Sequence, residues 1–265
     1  MIRNHSFEAY YAGLYGPRWK PLRKSLLEKA EAVPFTAGLA IPYMLDYASV
    51  LAARSLRLPE EGMILDACAS PGGKSLVLLS AMDSGQTLLA NERSGERRRR
   101  LVKVLDEHLE LEKRTRVRVS GFDAAALGAK KNERGRFGGI LVDAPCSCER
   151  RVIQNEKALS QWSAARPRFL ARRQWALLSA AFLTLRPGGS LIYATCALSV
   201  EENDGVASLL IKKYSRDALL DEPDFPEGEK TAFGRIILPD VSGGIGPMYV
   251  ARFRKNPAGS PACGA

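Results

Sequence analysis

Two cysteines occupy positions where a thiol could react with a bound molecule. Cys146 follows Asp143 in the segment Asp-Ala-Pro-Cys-Ser, and Cys196 follows the segment Leu-Ile-Tyr-Ala-Thr. Each comes after a short apolar run that predicts a buried strand, so both thiols are expected at one edge of one sheet. A single cysteine is most often a buried structural thiol. Two strand-end cysteines with a carboxylate beside one of them instead favour covalent catalysis by a thiolate.

The cysteines as a set indicate neither a disulfide framework nor a metal site. Their number is five, which is odd, and no apolar export signal opens the chain. Only one residue separates Cys146 from Cys148, and both histidines, His5 and His108, lie far from them in the sequence. We therefore expect no metal. Cys263 lies in the Pro/Gly/Ala-rich final stretch and receives no predicted role.

A loop with paired glycines follows the first predicted strand, and a helical pattern follows the loop. Paired glycines let the backbone approach a ligand closely, and the first turn of a helix offers free N–H groups. The spacing matches neither the dinucleotide fingerprint nor the P-loop, so the loop alone would be interpreted as a tight turn. The loop consists of Cys68, Ala69, Ser70, Pro71, Gly72, Gly73 and Lys74.

Three carboxylates lie at the ends of three successive predicted strands. Glu92 ends the second, Asp123 follows the third and Asp143 ends the fourth. An acidic side chain after the second strand can accept hydrogen bonds from ribose hydroxyls. Together with the glycine loop, the three carboxylates predict a ligand site rather than scattered surface charge.

Short apolar runs alternating with helical patterns predict the sheet that positions these side chains. Such alternation is typical of βαβ units and a mostly parallel sheet with helices on both faces, an α/β fold. The predicted strands are Met63–Ala67, Thr87–Asn91, Arg116–Val119, Ile140–Asp143 and Ser190–Ala194. The predicted helices between them are Ser75–Ala81, Gly95–Leu109 and Arg168–Leu185. Two further runs, Ile236–Leu238 and Met248–Arg254, predict a C-terminal antiparallel hairpin.

The pattern divides the chain into three parts. Residues 1–57 are expected to form a small helical extension, 58–255 the main domain, and 256–265 a disordered tail. Aromatic residues in the extension alternate with basic ones. They could stack on RNA bases or could form the core of a helical face, and the sequence leaves both possibilities open. The aromatic residues are Phe7, Tyr10, Tyr11, Tyr15 and Trp19.

Composition and charge indicate the class of partner. With 46% hydrophobic and 26% charged residues, the 265-residue chain has the profile of an ordered globular protein. A net charge of +10 favours an anionic partner, nucleic acid first. No apolar run reaches the roughly 20 residues that span a bilayer. A cytoplasmic protein without a membrane partner is therefore expected.

Five segments, in order, resemble the successive motifs of the Sun/Fmu-type (RsmB/NOP2-like) RNA cytosine-5 methyltransferases. The resemblance covers about residues 35–254, and Gly243–Tyr249 resembles the C-terminal signature of compact members, including the mitochondrial ribosomal type. It implies a Rossmann-like class I methyltransferase fold and S-adenosyl-L-methionine as cofactor. The five segments are ILDACASPGGKS, ANERSGERRRRL, GFDAAAL, VDAPCSCERR and LIYATCALSVEEND.

The resemblance also implies a role for each matching residue. Cys196 matches the nucleophile that adds to carbon 6 of cytosine, Cys146 the cysteine that assists product release, and Asp143 an acid near both cofactor and base. The loop 68–74 matches the cofactor loop, in which Lys74 would support Asp143. For the remaining two carboxylates, the resemblance implies a ribose contact at Glu92 and an adenine-side contact at Asp123.

The resemblance implies RNA as substrate, with a target cytosine that is unpaired or flipped out. Structured rRNA is the first expectation and tRNA the second, and a silent RNA-binding or assembly factor is the alternative. The sequence identifies no protein partner. It departs from the usual pattern in Glu92, where aspartate is more common, in Ala197, where serine is common, and in Cys148, an extra thiol.

Overall fold

The computed structural model describes residues 2–257, with side chains from residue 7 onward. None of the helices in this range is long and apolar enough to cross a membrane. The helices are α1 (Ile2–Tyr15), α2 (Trp19–Leu27), α3 (Tyr47–Arg54), α4 (Gly73–Ala81), α5 (Gly95–His108), α6 (Leu111–Thr115), α7 (Glu149–Ile153), α8 (Glu156–Ser160), α9 (Ala165–Thr184) and α10 (Asp204–Lys213). The strands are β1 (Ala32–Phe35), β2 (Tyr43–Asp46), β3 (Gly62–Asp66), β4 (Gln86–Asn91), β5 (Val117–Ser120), β6 (Phe137–Asp143), β7 (Leu185–Thr195), β8 (Ala218–Asp221), β9 (Glu229–Lys230), β10 (Arg235–Ile237) and β11 (Met248–Lys255).

One mixed sheet forms the centre of the molecule. Its order is β5-β4-β3-β6-β7-β11-β10-β9, and β8 also pairs with β11. The five strands from β5 to β7 are parallel, whereas β11 runs antiparallel to β7, β8 and β10. The chain moves outward from β3 to β5 on one side and from β6 to β7 on the other. The crevice beyond the carboxyl ends of β3 and β6 is thus a topological switch point, where ligands bind in such folds.

Alternate side chains of each central strand enter different apolar clusters on the two faces of the sheet. Leu65 packs with the cluster on one face, and its neighbour Ile64 packs with the cluster on the other. Tyr193 and Ile192 of β7 divide in the same way. A sheet covered on both faces requires apolar residues at successive positions, which explains the unbroken apolar runs in the sequence.

The predicted α/β fold with a C-terminal antiparallel hairpin is confirmed, and the carboxyl ends of the predicted strands lie within one residue of the observed ones, whereas β6 and β7 begin three and five residues earlier than predicted. The expected helical N-terminal region is confirmed in α1, α2 and α3, but residues 32–46 within it form an antiparallel hairpin of β1 and β2 that was not predicted. Pro34 and the positive φ of 64° at Gly38 interrupt any helix there. Strands β8 and β9 were not predicted, because β8 has only four residues and β9 consists of two charged residues.

The aromatic residues of the N-terminal extension pack inside the protein. Phe7, Tyr11 and Trp19 are buried and contact Trp162 or one another in edge-on and stacked arrangements. The hydroxyl of Tyr10 donates to Glu201, and the hydroxyl of Tyr15 donates to the Leu198 carbonyl. The sequence left open whether these aromatic side chains stack on RNA or form a core, and in the structure they form part of the core.

Candidate active site

The loops after β3 to β7 surround three adjoining cavities at the switch point. The first, of about 210 Å³, lies against the glycine loop, and the second, of about 480 Å³, lies beyond it toward β4 and β5. Cys68 lines both. The third, of about 390 Å³, shares Ser49, Lys74 and Asp143 with the first. The three cavities therefore form one continuous site.

The glycine loop approaches its neighbours so closely that a side chain at either glycine would be crowded. Gly72 has a φ of 123°, and a Cβ there would lie 2.9 Å from the Val104 side chain. A Cβ on Gly73 would lie 3.0 Å from the Tyr43 ring. Arg97 holds the loop by donating to the Ser70 carbonyl at 2.8 Å. The backbone of the loop is thus the wall of the first cavity.

Asp66, at the end of β3, brings a buried oxygen without a partner to the first cavity. Its Oδ2 accepts a hydrogen bond from Ser75 at 2.7 Å, while Oδ1 has no partner among the described residues. Burial raises the pKa of Asp66 to about 7, against a weaker opposing effect of Ser75. Buried carboxylate oxygens are normally paired, so the site fits a ligand with a hydrogen-bond donor such as an ammonium group. No role was predicted for Asp66, although its place before the glycine loop was a usable signal.

The second cavity contains the two acidic side chains predicted to face a nucleoside. Glu92 is buried and accepts a hydrogen bond from the Ser94 amide at 2.8 Å. Asp123 forms an ion pair of 2.9 Å with Arg93. Both line the cavity together with the exposed ring of Phe169. An apolar ring opposite two carboxylates is a suitable arrangement for a base attached to a sugar with free hydroxyls.

Asn91 holds the second cavity in shape and was not predicted as a site residue. Its side-chain amide donates to the carbonyls of Ala67 and Phe122, at 3.1 and 3.2 Å. Its Oδ1 accepts from Ser120 and from the Phe122 amide, both at 3.1 Å. The loops after β3 and β5 are therefore fixed to the end of β4.

Lys74 and Asp143 form an ion pair between the first and third cavities. The Nζ of Lys74 lies 2.8 Å from Asp143 Oδ2 and 3.2 Å from Ser49 Oγ. Burial lowers the pKa of Lys74, but the interaction with Asp143 outweighs burial and the net shift is upward. Lys74 therefore stays charged and holds Asp143 in place as an ion-pair partner.

Three cysteine sulfurs meet beside the third cavity, which Cys148 and Cys196 line. The Sγ of Cys196 lies 3.0 Å from that of Cys146 and 3.2 Å from that of Cys148, and the latter two are 3.5 Å apart. β6 and β7 are adjacent parallel strands with Asp143 opposite Ala194, so the loops that follow them must meet. We call Cys146, Cys148 and Cys196 the thiol cluster. Such a group also has the spacing to ligate a soft metal ion, which the sequence argument against a metal overlooked, because Cys196 is remote in the chain.

Two buried glutamates below the thiol cluster hold its two loops together. Glu149 accepts hydrogen bonds from Tyr11 at 2.5 Å, from the Leu198 amide at 3.0 Å and from Ser147. Glu202 accepts from the Ser147 amide at 3.0 Å through one oxygen, and its other oxygen contacts the Ser147 hydroxyl. Burial is the largest cause of the raised pKa of both glutamates, and for Glu149 it reaches about 7.

The contacts of Ser147 agree with the raised pKa values of the two glutamates. The Ser147 hydroxyl touches both carboxyls but carries only one proton. One of its contacts must therefore be a donation from a protonated carboxyl, so the two glutamates share a proton. Neither glutamate was predicted as a site residue, because their roles depend on a contact between two remote loops.

The glycine-rich turn at 243–247 closes the third cavity. Arg150 donates to the carbonyls of Gly246 and Gly244, at 2.6 and 3.1 Å. Asp46, which also caps α3, accepts from the Gly246 amide at 3.1 Å. The turn is thus fixed against both α7 and the N-terminal hairpin, and Pro247 and Met248 line the cavity.

Comparison with known proteins identifies the family to which the chain is related. Residues 53–254 match the family model described as 16S rRNA methyltransferase RsmB/F. The chain is 38% identical over 220 residues to Ribosomal RNA small subunit methyltransferase F of Aeromonas hydrophila, covering 80% of this chain and 44% of that protein. It is 31% identical to 5-cytosine rRNA methyltransferase NSUN4 of Bos taurus, covering 81% and 60%. It is 32% identical to the mitochondrial tRNA (cytosine(34)-C(5))-methyltransferase of Mus musculus, covering 83% and 65%.

Solved structures agree with the fold. NSun6 of Pyrococcus horikoshii, solved with SFG, superposes with a TM-score of 0.69 at 26% identity, over 83% of this chain and 54% of that one. A methyltransferase homologue of the same organism gives a TM-score of 0.70 at 20% identity, over 92% and 93%. The chain spans about half to two thirds of the length of the relatives it matches. The family inferred from the five motifs is confirmed by a match over well over half of the residues, and the chain belongs to the RsmB/F family of 16S rRNA methyltransferases.

Proposed function

We propose that this chain transfers a methyl group from S-adenosyl-L-methionine to carbon 5 of a cytosine in RNA, through a covalent bond between Cys196 and carbon 6 of the base. The observation that carries the proposal is the shared wall of the first and third cavities. Lys74 and Asp143 line both, and Cys196 lines the third. A base in the third cavity would therefore lie next to a cofactor in the first.

The residues of the first two cavities fit the cofactor. S-adenosyl-L-methionine, when bound, supplies an electrophilic methyl group. The unpartnered Oδ1 of Asp66 is an acceptor for the amino group of the methionine part. Glu92 would provide carboxylate oxygens for the ribose hydroxyls, and Asp123, which lines the same cavity, is assigned to the adenine side. The match to relatives named as methyltransferases supports this assignment.

Cys196 and Asp143 would activate the cytosine together. Carbon 5 of cytosine is a weak nucleophile, and addition of the Cys196 thiolate to carbon 6 gives it enamine character. Protonation of ring nitrogen 3 by Asp143 takes up the electron pair displaced by that addition. Lys74, 2.8 Å away, stabilises the carboxylate left behind. The pKa of Cys196 is raised, since contact with Cys148 and burial outweigh the lowering contact with Cys146. Deprotonation of Cys196 is therefore a required step, and the Lys74 charge favours it.

Cys146 acts on product release. After carbon 5 gains the methyl group, its proton must leave so that the carbon 5–carbon 6 double bond re-forms. The bond between carbon 6 and the Cys196 sulfur then breaks, and the thiolate departs. Cys146, with its sulfur 3.0 Å from that of Cys196, is the group placed to assist this step. Loss of Cys146 should therefore trap the adduct.

Exposed arginines beside the third cavity are suited to RNA phosphates. Arg151 lines the cavity and is exposed, and Arg166 is exposed and close enough to Cys148 to lower its pKa. Arginines at the mouth of a base pocket can hold the backbone while one nucleotide enters. We propose rRNA as substrate, because the family model and two of the relatives carry that name, and tRNA as the alternative, because a third relative is named for it.

The first experiment incubates Cys146→Ala protein with the cofactor and with separate pools of rRNA and tRNA. A protein–RNA adduct that resists denaturant is expected in the rRNA pool. Two controls use the same pools: Cys196→Ala, which lacks the nucleophile, and the double variant Cys146→Ala/Cys196→Ala. Neither should form an adduct, although both should bind the cofactor as the wild type does.

The outcomes separate the parts of the proposal. An adduct in the tRNA pool alone would replace rRNA by tRNA as the substrate class. An adduct that persists in the double variant would exclude Cys196 as nucleophile. If no variant forms an adduct and the wild type transfers no methyl group to either pool, the chain is an RNA-binding or assembly factor rather than an enzyme.

A further inference from the structure

Cys148 is the member of the thiol cluster that the proposed reaction does not use. Methyl transfer through a covalent intermediate needs one thiol to attack and a second to assist release, which are Cys196 and Cys146. Cys148 nevertheless places its sulfur 3.2 Å from the nucleophile. Two sulfurs at this distance are closer than an ordinary van der Waals contact, and a modest shift of one loop joins them.

The environment of Cys148 is that of a reactive thiol. Its side chain is partly exposed and lines the third cavity, so small molecules can reach it. Contacts with the two other thiols lower its pKa, and the positive charges of Arg151 and Arg166 lower it further. The pKa of Cys146 and the pKa of Cys196 are both raised. The cluster therefore keeps its negative charge on Cys148, and a thiolate rather than a thiol reacts with oxidants.

We infer that Cys148 is a site of reversible oxidation, at which a hydroperoxide forms a sulfenic acid that Cys196 captures as a disulfide. In the first step the Cys148 sulfur attacks one peroxide oxygen, gains a hydroxyl group and releases hydroxide. In the second step the Cys196 sulfur attacks the Cys148 sulfur, a disulfide forms, and the hydroxyl leaves as water with the Cys196 proton. The two sulfurs together lose two electrons, and the peroxide gains them.

Cys196 is the better partner for Cys148 on geometry. The Cys146 and Cys148 sulfurs are the most distant pair of the cluster, at 3.5 Å, and only Ser147 separates them in the chain. The two glutamates below the cluster hold Ser147 through its amide and hydroxyl, which restricts that short loop. Cys196 lies on the other loop and approaches from across the cavity.

The disulfide would remove the nucleophile from the third cavity. The loss of methyl transfer rests on the proposed function, whereas the disulfide itself does not. A thiol reductant would restore both thiols, since an exposed disulfide at such a site is open to thiolate attack. Cys148 would thus make the activity of this chain dependent on the redox state of its surroundings.

The test treats reduced wild-type protein with hydrogen peroxide in the presence of a chelator, blocks free thiols and maps the peptides without reduction. A peptide pair joined through Cys148 and Cys196 is expected, together with loss of methyl transfer that dithiothreitol reverses. The chelator prevents metal bound by the three thiols from mimicking the inactivation.

The matched variant is Cys148→Gly. Cys148 has a φ of 54°, which glycine adopts without strain, so the substitution preserves the fold. Each protein is compared with its own reduced state. The rate of inactivation by peroxide should fall by roughly tenfold or more in the variant, because the reactive thiolate is gone. Cys148→Ser serves as a second variant that keeps the side-chain size.

Three results would overturn the inference: a wild-type disulfide between Cys146 and either other cysteine, oxidation of Cys148 without any disulfide, or equal inactivation rates in wild type and Cys148→Gly. Peptide mapping requires no methyl transfer. A Cys148–Cys196 disulfide in a protein that never methylates RNA would thus contradict only the proposed function.

Discussion

Replacing Glu149 with glutamine should change how stability depends on pH. Glu149 is completely buried, and its pKa rises from 4.5 to about 7 because of burial and the neighbouring Glu202. It therefore binds a proton more tightly in the folded chain than in the unfolded chain. Its contribution to stability is fully present below pH 4.5 and is lost as the pH rises through about 7.

The size of the effect follows from the two pKa values. Each tenfold difference in proton affinity corresponds to about 1.4 kcal/mol. The tighter proton binding of Glu149 in the folded chain therefore adds about 3 kcal/mol to the free energy of unfolding at low pH. Between about pH 5 and about pH 8, roughly 2 to 3 kcal/mol should be lost from the free energy of unfolding. Glutamine cannot take up the proton, so the Glu149→Gln variant should lack this slope.

Urea unfolding of the wild type and of Glu149→Gln across this pH range measures the difference directly. The advantage of the wild type should be largest at low pH and should shrink by roughly 2 to 3 kcal/mol toward high pH. Glu156→Gln, which removes an exposed carboxylate from nearby α8, is the control and should parallel the wild type. A constant difference between wild type and Glu149→Gln at all pH values would refute the shared proton.

Two substitutions in the glycine loop and one in the second cavity test the proposed site. Lys74→Met removes the ion-pair partner of Asp143. The variant should still bind the cofactor, but single-turnover methyl transfer should be roughly 100-fold slower. An unchanged rate would show that Lys74 does not act through Asp143. Gly72→Ala places a Cβ on a residue with a φ of 123°, at 2.9 Å from the Val104 side chain. The free energy of unfolding should fall by about 1–3 kcal/mol. An unchanged midpoint of thermal unfolding would contradict backbone strain at this position. Glu92→Gln should weaken cofactor affinity roughly tenfold by calorimetry, whereas equal affinity would argue against a ribose contact.

Much of the site could be predicted because parallel strands bring their carboxyl ends to one edge. Glu92, Asp123, the pair Asp143 and Cys146, and Cys196 lie on four segments far apart in the sequence, yet each segment is at the carboxyl end of a strand of the same sheet. Once the strands are recognised, the topology requires these side chains to line one crevice. Their convergence is therefore a property of periodicity and strand order, which a sequence shows directly.

The side chains that were missed depend on contacts that periodicity does not encode. Glu149 and Glu202 resemble surface glutamates in the sequence, but packing of one loop on the other buries both and makes them share a proton. The sequence leaves the role of the N-terminal aromatics equally ambiguous, and only the contacts of Phe7 and Tyr11 with Trp162, and of Trp19 with Tyr11, assign them to the core.

The sequence by itself determined the α/β fold, the glycine loop and the strand ends that carry the acids and thiols, because these features depend on local spacing. Only the tertiary structure decided that Cys148 lies in contact with Cys146 and Cys196, and that Asp66 brings an unpartnered oxygen to the first cavity. The physical reason is distance. A spacing of 3.2 Å between Cys148 and Cys196 is set by how two loops pack across adjoining strands, and no pattern within either loop specifies it.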